Sequence, residues 1–257
     1  MGVPSVFMRT FGCNFQCAGF GMPPGEKSVD RLNVDPTKYE KYEDLPLVNT
    51  GCDSYASWDD RFKHLSPFYT VDEIANKIVD LLPQKRWNSE HLVITGGEPL
   101  LQWQKVYENL LSHHRMIGLR HLTFETNGTK LLNDSLKNFL KHENHLEITF
   151  SVSPKLLNSG HSKKDAIKPA VVSSYQDIGY VYLKFVVADE DDVEMAKQAV
   201  EDYRQAGFYG PVYLMPLGGV ESVYNLNKTD VAEMALKLGW RYSDRLQIPL
   251  WKNAWGT

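Results

Sequence analysis

The chain has 257 residues, of which 42% are hydrophobic and 23% charged, proportions that are ordinary for a soluble globular protein. Its formal net charge of −4 excludes a global positive field that would draw it to nucleic acid or to an anionic membrane. The sequence shows no apolar run that could span a bilayer and no secretory signal in residues 1–10. We therefore expect a cytoplasmic protein with no membrane partner and no direct nucleic-acid partner.

Short β-rich segments alternate with helical segments along the chain. This alternation implies right-handed crossovers and a parallel sheet, which makes the fold α/β and either an incomplete (β/α) barrel or a doubly wound sheet. Thr70 with Glu73 predicts a capping box at one helix start, and Gly207 and Gly239 predict two helix ends. Strands are predicted at 4–9, 91–95, 121–126, 147–152, 180–187 and 212–215, and helices at 71–82, 101–115, 133–141, 191–206 and 228–238.

Two segments depart from this pattern. Residues 18–50 are rich in Pro, Gly, Tyr and charge, and we interpret them as a long inserted loop, which in a compact domain is often functional. Residues 241–257 are rich in aromatic side chains, so we expect this tail to pack against the body of the protein. We expect residues 1–257 to form one domain.

The three cysteines are the first candidate site. Cys13 and Cys17 directly follow the first predicted strand, and Cys52 follows the insertion. Three thiolates can hold three irons of a [4Fe–4S] cluster and leave the fourth iron open. The spacing alone leaves two alternatives, namely a zinc site with a histidine as fourth ligand and unrelated cysteines in the core.

Polar and glycine-rich motifs follow the other predicted strands. Because the carboxyl ends of parallel strands meet at one face, where barrel enzymes build their active sites, we expect these motifs to lie together. In the first of them, two glycines allow close backbone approach to a ligand, and the carboxylate of Glu98 could bind an ammonium group. Each motif alone is equally compatible with a structural turn. The motifs are Thr95-Gly96-Gly97-Glu98-Pro99, Glu125-Thr126-Asn127-Gly128-Thr129, Ser151-Val152-Ser153-Pro154-Lys155, Lys184 and Met215-Pro216-Leu217-Gly218.

These motifs resemble a known family. Cys13-x3-Cys17 preceded by Gly12, together with Gly-Gly-Glu-Pro, resembles the radical S-adenosylmethionine (SAM) enzymes. Cys52-Asp53-Ser54-Tyr55 and Ser153-Pro154-Lys155 are similar, more narrowly, to the 7-carboxy-7-deazaguanine synthases. The chain departs from that family in its long insertion before Cys52, in beginning after the family's first substrate loop, and in Ser54, where the family usually has Thr.

The resemblance implies a fold, a reaction and a set of cofactors. The fold would be an incomplete (β/α)6-type TIM-like barrel of the radical SAM type. The cofactors would be a [4Fe–4S] cluster, SAM and Mg²⁺. The reaction would be a radical ring contraction of 6-carboxy-5,6,7,8-tetrahydropterin to 7-carboxy-7-deazaguanine with loss of ammonia, for queuosine or for modified DNA. A flavodoxin or ferredoxin would supply the electron, and the protein would be a homodimer.

The resemblance also implies residue roles. Cys13, Cys17 and Cys52 would ligate the cluster as the catalytic centre, and Ser54 would ligate Mg²⁺. Arg9, Thr95 and Thr257 would bind substrate. The alternatives are another radical SAM enzyme, such as a glycyl-radical activase, and a zinc-stabilised module without catalysis. Residues expected to bind SAM are Gly97, Glu98, Asn127, Ser153, Pro154, Lys155, Lys184, Met215 and Pro216.

Overall fold

A computed structural model describes residues 2–256 of the chain. Its centre is one sheet of seven parallel strands that are hydrogen-bonded in sequential order. The strands are β1 Ser5–Thr10, β2 His91–Gly96, β3 His121–Thr126, β4 Glu147–Val152, β5 Tyr180–Val187, β6 Val212–Pro216 and β7 Arg241–Tyr242.

Helices connect these strands. Their bounds are α1 Val71–Asp80, α2 Gln104–Leu111, α3 Asp134–His142, α4 Lys163–Ala166, α5 Pro169–Tyr175, α6 Glu190–Gln205, α7 Glu221–Lys237 and α8 Gln247–Trp251. The helix α1 begins with the predicted capping box of Thr70 and Glu73. Gly207 and Gly239 have φ angles of +91° and +65°, which suit the helix ends predicted for them. No helix among residues 2–256 has both the length and the apolar character needed to cross a membrane.

The two faces of the sheet differ in chemistry. One face carries a continuous apolar core against the helices, and the other carries Arg9, Thr95, Glu125 and Lys184 together with some apolar side chains such as Phe7, because successive residues of a strand point to opposite sides. Sequential strand order places the crossover helices on one side, as in a barrel wall, whereas a doubly wound sheet reverses its order. Within the described residues β1 and β7 are not paired, so the barrel is open. The structure therefore confirms a TIM-like α/β fold, with a polar lumen.

Several predicted elements need correction. The expected six strands are seven, since β7 has only two residues and lies within the predicted tail. The predicted helix 228–238 begins at Glu221, because the first turns of α7 bury only Tyr224 and so show no apolar stripe. The predicted helix 101–115 begins at Gln104 and gives way after Leu111 to a 3₁₀ turn. Two helices that join β4 to β5 were not predicted at all.

The insertion is more structured than the sequence predicts. It contains three short 3₁₀ turns, Asp30–Asn33, Pro36–Lys38 and Tyr42–Asp44. Val34, Leu45 and Val48 of the insertion join a second core with Tyr55 and Phe62. From the tail, Trp255 packs its ring 5.4 Å from Tyr42 and 5.5 Å from Tyr55. The tail therefore packs as expected, and it does so against the inserted segment.

Candidate active site

The three cysteines come together after β1. Cys17 packs with Phe15 and Ala166 in a small apolar cluster, which Cys13 and Cys52 contact from its edge. None of the three forms a disulfide. The segment after the insertion is fixed to the first cysteine loop, because the amide of Gly12 donates to the carbonyl of Ser57 over 2.8 Å. The structure thus brings together the three residues that the sequence places up to 39 positions apart.

Burial dominates the protonation of these three thiols. Burial raises the pKa of all three thiols, that of Cys52 to about 11, so without a metal each would be protonated at neutral pH. Iron ligation removes the proton, since the thiolate is the ligand. No three His, Cys, Asp or Glu side chains within residues 2–256 converge on one metal ion. A cubane does not require such convergence, because each cysteine binds a different iron. The donor set therefore fits a [4Fe–4S] cluster.

The glycine-rich loop after β2 lies directly on the cysteine loop. The amide of Gly97 donates to the carbonyl of Thr10 over 3.2 Å, and that of Glu98 donates to the carbonyl of Gly12 over 2.8 Å. A Cβ atom on Gly97 would lie 2.3 Å from the oxygen of Gly12 and 2.8 Å from Cβ of Cys13. Only glycine allows this approach. The close approach that Gly97 allows in this structure is to the backbone of the cysteine loop, and its expected approach to a ligand stays a prediction.

The carboxylate of Glu98, which was expected to contact SAM, makes several hydrogen bonds within the protein. The residue is fully buried, and burial raises its pKa. Its Oε1 accepts hydrogen bonds from the hydroxyl of Thr126 over 2.7 Å and from the amide of Leu100 over 3.0 Å. Its Oε2 accepts one from the amide of Asn127 over 2.7 Å. The side chain therefore holds the loops after β2 and β3 together, and its expected contact with SAM stays a prediction.

Asn127, whose expected contact with SAM stays a prediction, joins a hydrogen-bond network within the protein. Its Nδ2 donates to Oδ1 of Asn14 over 3.0 Å, and its Oδ1 accepts from the hydroxyl of Thr129 over 2.6 Å. The Nδ2 of Asn14 donates in turn to Oγ1 of Thr129 over 3.1 Å. The amide side chain is thus satisfied within the protein. This network ties the residue after Cys13 to the loop after β3.

The motif after β4 faces the cysteines. The amide of Ser153 donates to the carbonyl of Thr126 over 2.8 Å, and Nζ of Lys155 donates to the hydroxyl of Ser153 over 3.1 Å. Pro154 between them is buried. The positive charge of Lys155 favours the thiolate forms of Cys13 and Cys17, although burial dominates their pKa. A role for this motif in binding SAM stays a prediction, and its position beside the cluster loop is compatible with it.

The lumen carries a second group of charged side chains. Arg9 and Thr95 are register partners on β1 and β2. The hydroxyl of Thr95 donates to Oε2 of Glu125 over 3.1 Å, and Nζ of Lys184 lies 3.5 Å from Oε1 of the same carboxylate. Lys184 therefore contacts a lumen carboxylate on one side, and the β4–β5 register places it beside the start of the motif after β4, so its expected role in binding SAM stays a prediction. Among residues 2–256, Arg9 has no ion-pair or hydrogen-bond partner.

Glu125 is the lumen residue to which sequence reasoning gave no role. Burial alone would raise its pKa, but Lys184, Thr95 and Arg9 outweigh burial and lower it. The side chain nevertheless keeps 37% of its surface exposed, because it borders the open lumen. It is therefore an ionised and accessible acceptor. The signal that could have found it is its place directly before the Thr126-Asn127-Gly128 turn, on the inward face of β3.

The motif after β6 is linked to the cysteine site through Arg245 of the C-terminal tail. Met215 and Pro216 end β6, and Gly218 follows with a φ angle of +139°. Arg245 of the tail donates to the carbonyl of Gly218 over 2.6 Å and pairs with Asp53 over 2.5 Å. Burial would raise the pKa of Asp53, but Arg245 outweighs it and lowers the pKa. The residue after Cys52 is thereby fixed to the end of β6. The expected role of Met215 and Pro216 in binding SAM stays a prediction.

Ser54 was expected to bind Mg²⁺ through its hydroxyl. Ser54 donates from its hydroxyl to Oδ1 of Asp53 over 3.3 Å, which leaves its oxygen lone pairs available. Thr257, expected to bind substrate, lies outside the described residues.

Comparisons with known proteins indicate the family of this chain. The sequence profile of the Radical SAM superfamily matches residues 50–229. The 7-carboxy-7-deazaguanine synthase of Halobacterium salinarum is 29% identical and covers 98% of this chain and 85% of its own length. That of Pyrobaculum aerophilum is 28% identical and covers 86% and 88%, respectively. The crystal structure of Streptococcus suis SuiB bound to S-adenosylmethionine covers 95% of this chain and 51% of its own, at 14% identity and a TM-score of 0.48. Because the superfamily profile matches well over half of its length, the chain belongs to the radical SAM superfamily.

Proposed function

We propose that this radical SAM enzyme is a 7-carboxy-7-deazaguanine synthase that converts 6-carboxy-5,6,7,8-tetrahydropterin to 7-carboxy-7-deazaguanine and ammonia. Relatives that align with most of this chain carry that name. The observation that carries the proposal is the positive charge of Arg9, unpaired within the described residues. Its guanidinium has no partner among residues 2–256 and faces a lumen that adjoins the cysteine loop. A cation placed in this way suits a substrate carboxylate, which a guanidinium can bind through two hydrogen bonds.

The lumen residues divide the recognition of this substrate between them. Arg9 would bind the carboxylate at one end of the pterin. Glu125 would accept hydrogen bonds from the amino and ring N–H groups at the other end, since it is ionised and accessible. Lys184 and Thr95 orient the carboxylate of Glu125 by direct contact. The substrate would thus be held between a cation and an anion within the barrel.

The cofactors would occupy the adjacent loops. The superfamily implies a [4Fe–4S] cluster and SAM, and Cys13, Cys17 and Cys52 would hold the cluster. When bound, the cluster supplies the electron that cleaves SAM to methionine and a 5′-deoxyadenosyl radical. The backbone at Gly97 and the motif Ser153-Pro154-Lys155 would hold the methionyl end of SAM beside it. The protein's part is to fix SAM next to the lumen and to exclude water.

Further parts of the proposal concern the cellular setting. We place the enzyme in the cytoplasm as a homodimer of one-domain chains, reduced by a flavodoxin or a ferredoxin. The product would supply queuosine or a modified DNA base. These assignments rest on the resemblance to the synthase family.

The direct test is turnover under anaerobic reduction. The reconstituted chain should convert 6-carboxy-5,6,7,8-tetrahydropterin to 7-carboxy-7-deazaguanine, identified by mass spectrometry, with release of ammonia. SAM should act catalytically, so that many product molecules form for each SAM consumed. An activase would instead consume SAM stoichiometrically and would leave the pterin unchanged. Cleavage of SAM without any conversion of the pterin would reject the synthase assignment and keep the superfamily.

A second prediction concerns Ser54 and Mg²⁺. The ion prefers oxygen ligands and commonly takes only one or two from the protein, the rest from substrate and water. The hydroxyl of Ser54 would be the protein ligand, and the substrate carboxylate another. We expect Ser54→Ala to lower turnover and to flatten its dependence on Mg²⁺ concentration, whereas Ser54→Thr should keep both. If Ser54→Ala and the wild type give the same Mg²⁺ titration, Ser54 does not bind the ion.

A further inference from the structure

The backbone of the second cluster cysteine has an unusual conformation. Cys17 has a φ angle of +49°, in the left-handed region that residues other than glycine seldom adopt. Its amide N–H donates to Nε2 of His161 over 3.2 Å. The imidazole in turn packs against the ring of Phe15, with 4.2 Å between the centroids. The strained cysteine is therefore held from one side by a histidine that comes from a distant loop.

The loop that carries His161 is itself fixed. It follows the Ser153-Pro154-Lys155 motif, and the buried hydroxyl of Ser159 donates to the carbonyl of Leu156 over 2.6 Å. The amide of Gly19 donates to the carbonyl of Ser159 over 3.1 Å. A Cβ atom on Gly19 would lie only 2.5 Å from the amide nitrogen of Gly160. The loop therefore contacts the chain on the far side of Cys17 as well, and His161 cannot move away without breaking these contacts.

From this geometry we infer that His161 is a positioning residue for the iron–sulfur cluster, acting through the backbone of Cys17. It has two effects. By accepting the amide hydrogen bond, the imidazole fixes the left-handed backbone that aims the thiol. It also keeps that amide from donating to a cluster sulfur. Hydrogen bonds to the sulfurs help to set the reduction potential of such clusters, and they favour the more negative reduced state. The inference depends on the cluster alone and not on the identity of the substrate.

The test uses the full chain with its reconstituted cluster, without SAM or substrate. His161→Phe keeps an aromatic ring against Phe15 but removes the acceptor, whereas His161→Gln can place an oxygen near the position of Nε2. His145→Phe is the matched control, because the side chain of His145 is 62% exposed and pairs only with Glu143 among the described residues. Two quantities are measured for each variant. One is the rate at which a chelator removes iron, and the other is the midpoint potential from a redox titration followed by electron paramagnetic resonance.

The expected results differ between the variants. His161→Phe should lose iron about 10- to 100-fold faster than the wild type, the range typical when a residue that supports a metal ligand is removed. Its midpoint potential should move to a more positive value, because the freed amide can turn to sulfur. His161→Gln and His145→Phe should stay close to the wild type. Should His161→Phe fail to fold, His161→Leu makes the same removal. Unchanged iron loss and potential on removal of the acceptor, or equal defects in His161→Phe and His161→Gln, would overturn the inference.

Discussion

Cys52→Ala should yield a colourless protein that neither cleaves SAM nor converts the pterin. The three cysteines are the only ones in the chain, so no other thiolate can replace the missing ligand. With two thiolates the cluster would lose one of its three anchored irons. Iron and sulfide analysis after anaerobic reconstitution, together with the visible absorbance of the cluster, measures this outcome directly. The variant should still fold, because Cys52 lies at the edge of its apolar cluster.

The control for this experiment is a neighbouring serine. Ser57 is fully buried, and its hydroxyl has no hydrogen-bond partner in the described part of the chain. Ser57→Ala removes that hydroxyl while retaining the carbonyl that accepts from Gly12. We expect it to assemble a full cluster. A complete cluster in Cys52→Ala would show that the residue after the insertion is not a ligand, and it would leave the two-cysteine motif of Cys13 and Cys17 without its third partner.

The barrel could be predicted well because its signal is local. The strands 121–126, 147–152 and 180–187 match β3, β4 and β5 to the residue, since buried parallel strands are short apolar or β-branched runs between polar turns. What failed was structure that depends on tertiary contacts. The strand β7 has two residues and exists by pairing with β6. The second core joins the inserted segment to Tyr55 and Phe62, and Trp255 of the tail packs against it.

The active site could be predicted as a set of loops but not as a set of side-chain roles. Strand ends predict which loops meet, and they do meet around Cys13. The sequence does not show burial, however. Glu98 and Asn127 stand in motifs that suggest ligand contact, and the structure adds that their side chains form hydrogen bonds between loops, which the sequence does not reveal. The same limit applies to Lys184, whose role depends on Glu125 across the lumen. A motif therefore predicts the position of a site more reliably than it predicts the contacts of each side chain.

Arg9→Ala should separate substrate recognition from cofactor chemistry. The sequence leaves open that Arg9 forms a structural ion pair, but no such pair exists within residues 2–256. Its charge acts on Glu125 and Asp53 only at longer range. Burial is the largest influence on both carboxyl groups and raises their pKa, and Arg9 adds to the stronger effect of their nearer partners, which lowers it. Loss of a charge-assisted contact in a partly desolvated site costs roughly 2–4 kcal/mol, or about 30- to 1,000-fold in kcat/KM.

The cofactor machinery of Arg9→Ala should remain intact. The variant should assemble its cluster, bind SAM and cleave it slowly without substrate, because no hydrogen bond or ion pair within residues 2–256 joins Arg9 to the cysteines or to the loops after β2 and β4. Arg120→Ala is the matched control, since this exposed arginine precedes β3 at the opposite end of the barrel. Glu98→Gln should show the opposite pattern. The carboxylate of Glu98 accepts hydrogen bonds at both oxygens, whereas the amide of glutamine has an N–H₂ group in place of one oxygen. One donor therefore loses its acceptor, the loop beside Gly97 loses its order, and SAM binding weakens.

The measurements for these three variants are SAM affinity by calorimetry and the anaerobic turnover of 6-carboxy-5,6,7,8-tetrahydropterin. The substrate assignment predicts a loss of kcat/KM with normal SAM affinity in Arg9→Ala, and weakened SAM affinity in Glu98→Gln. Arg120→Ala should match the wild type in both. Normal pterin turnover in Arg9→Ala would remove Arg9 from the substrate site. A loss of SAM affinity in Arg9→Ala as large as that in Glu98→Gln would instead place its guanidinium among the cofactor contacts, since a residue that binds only the pterin carboxylate has no means of holding SAM.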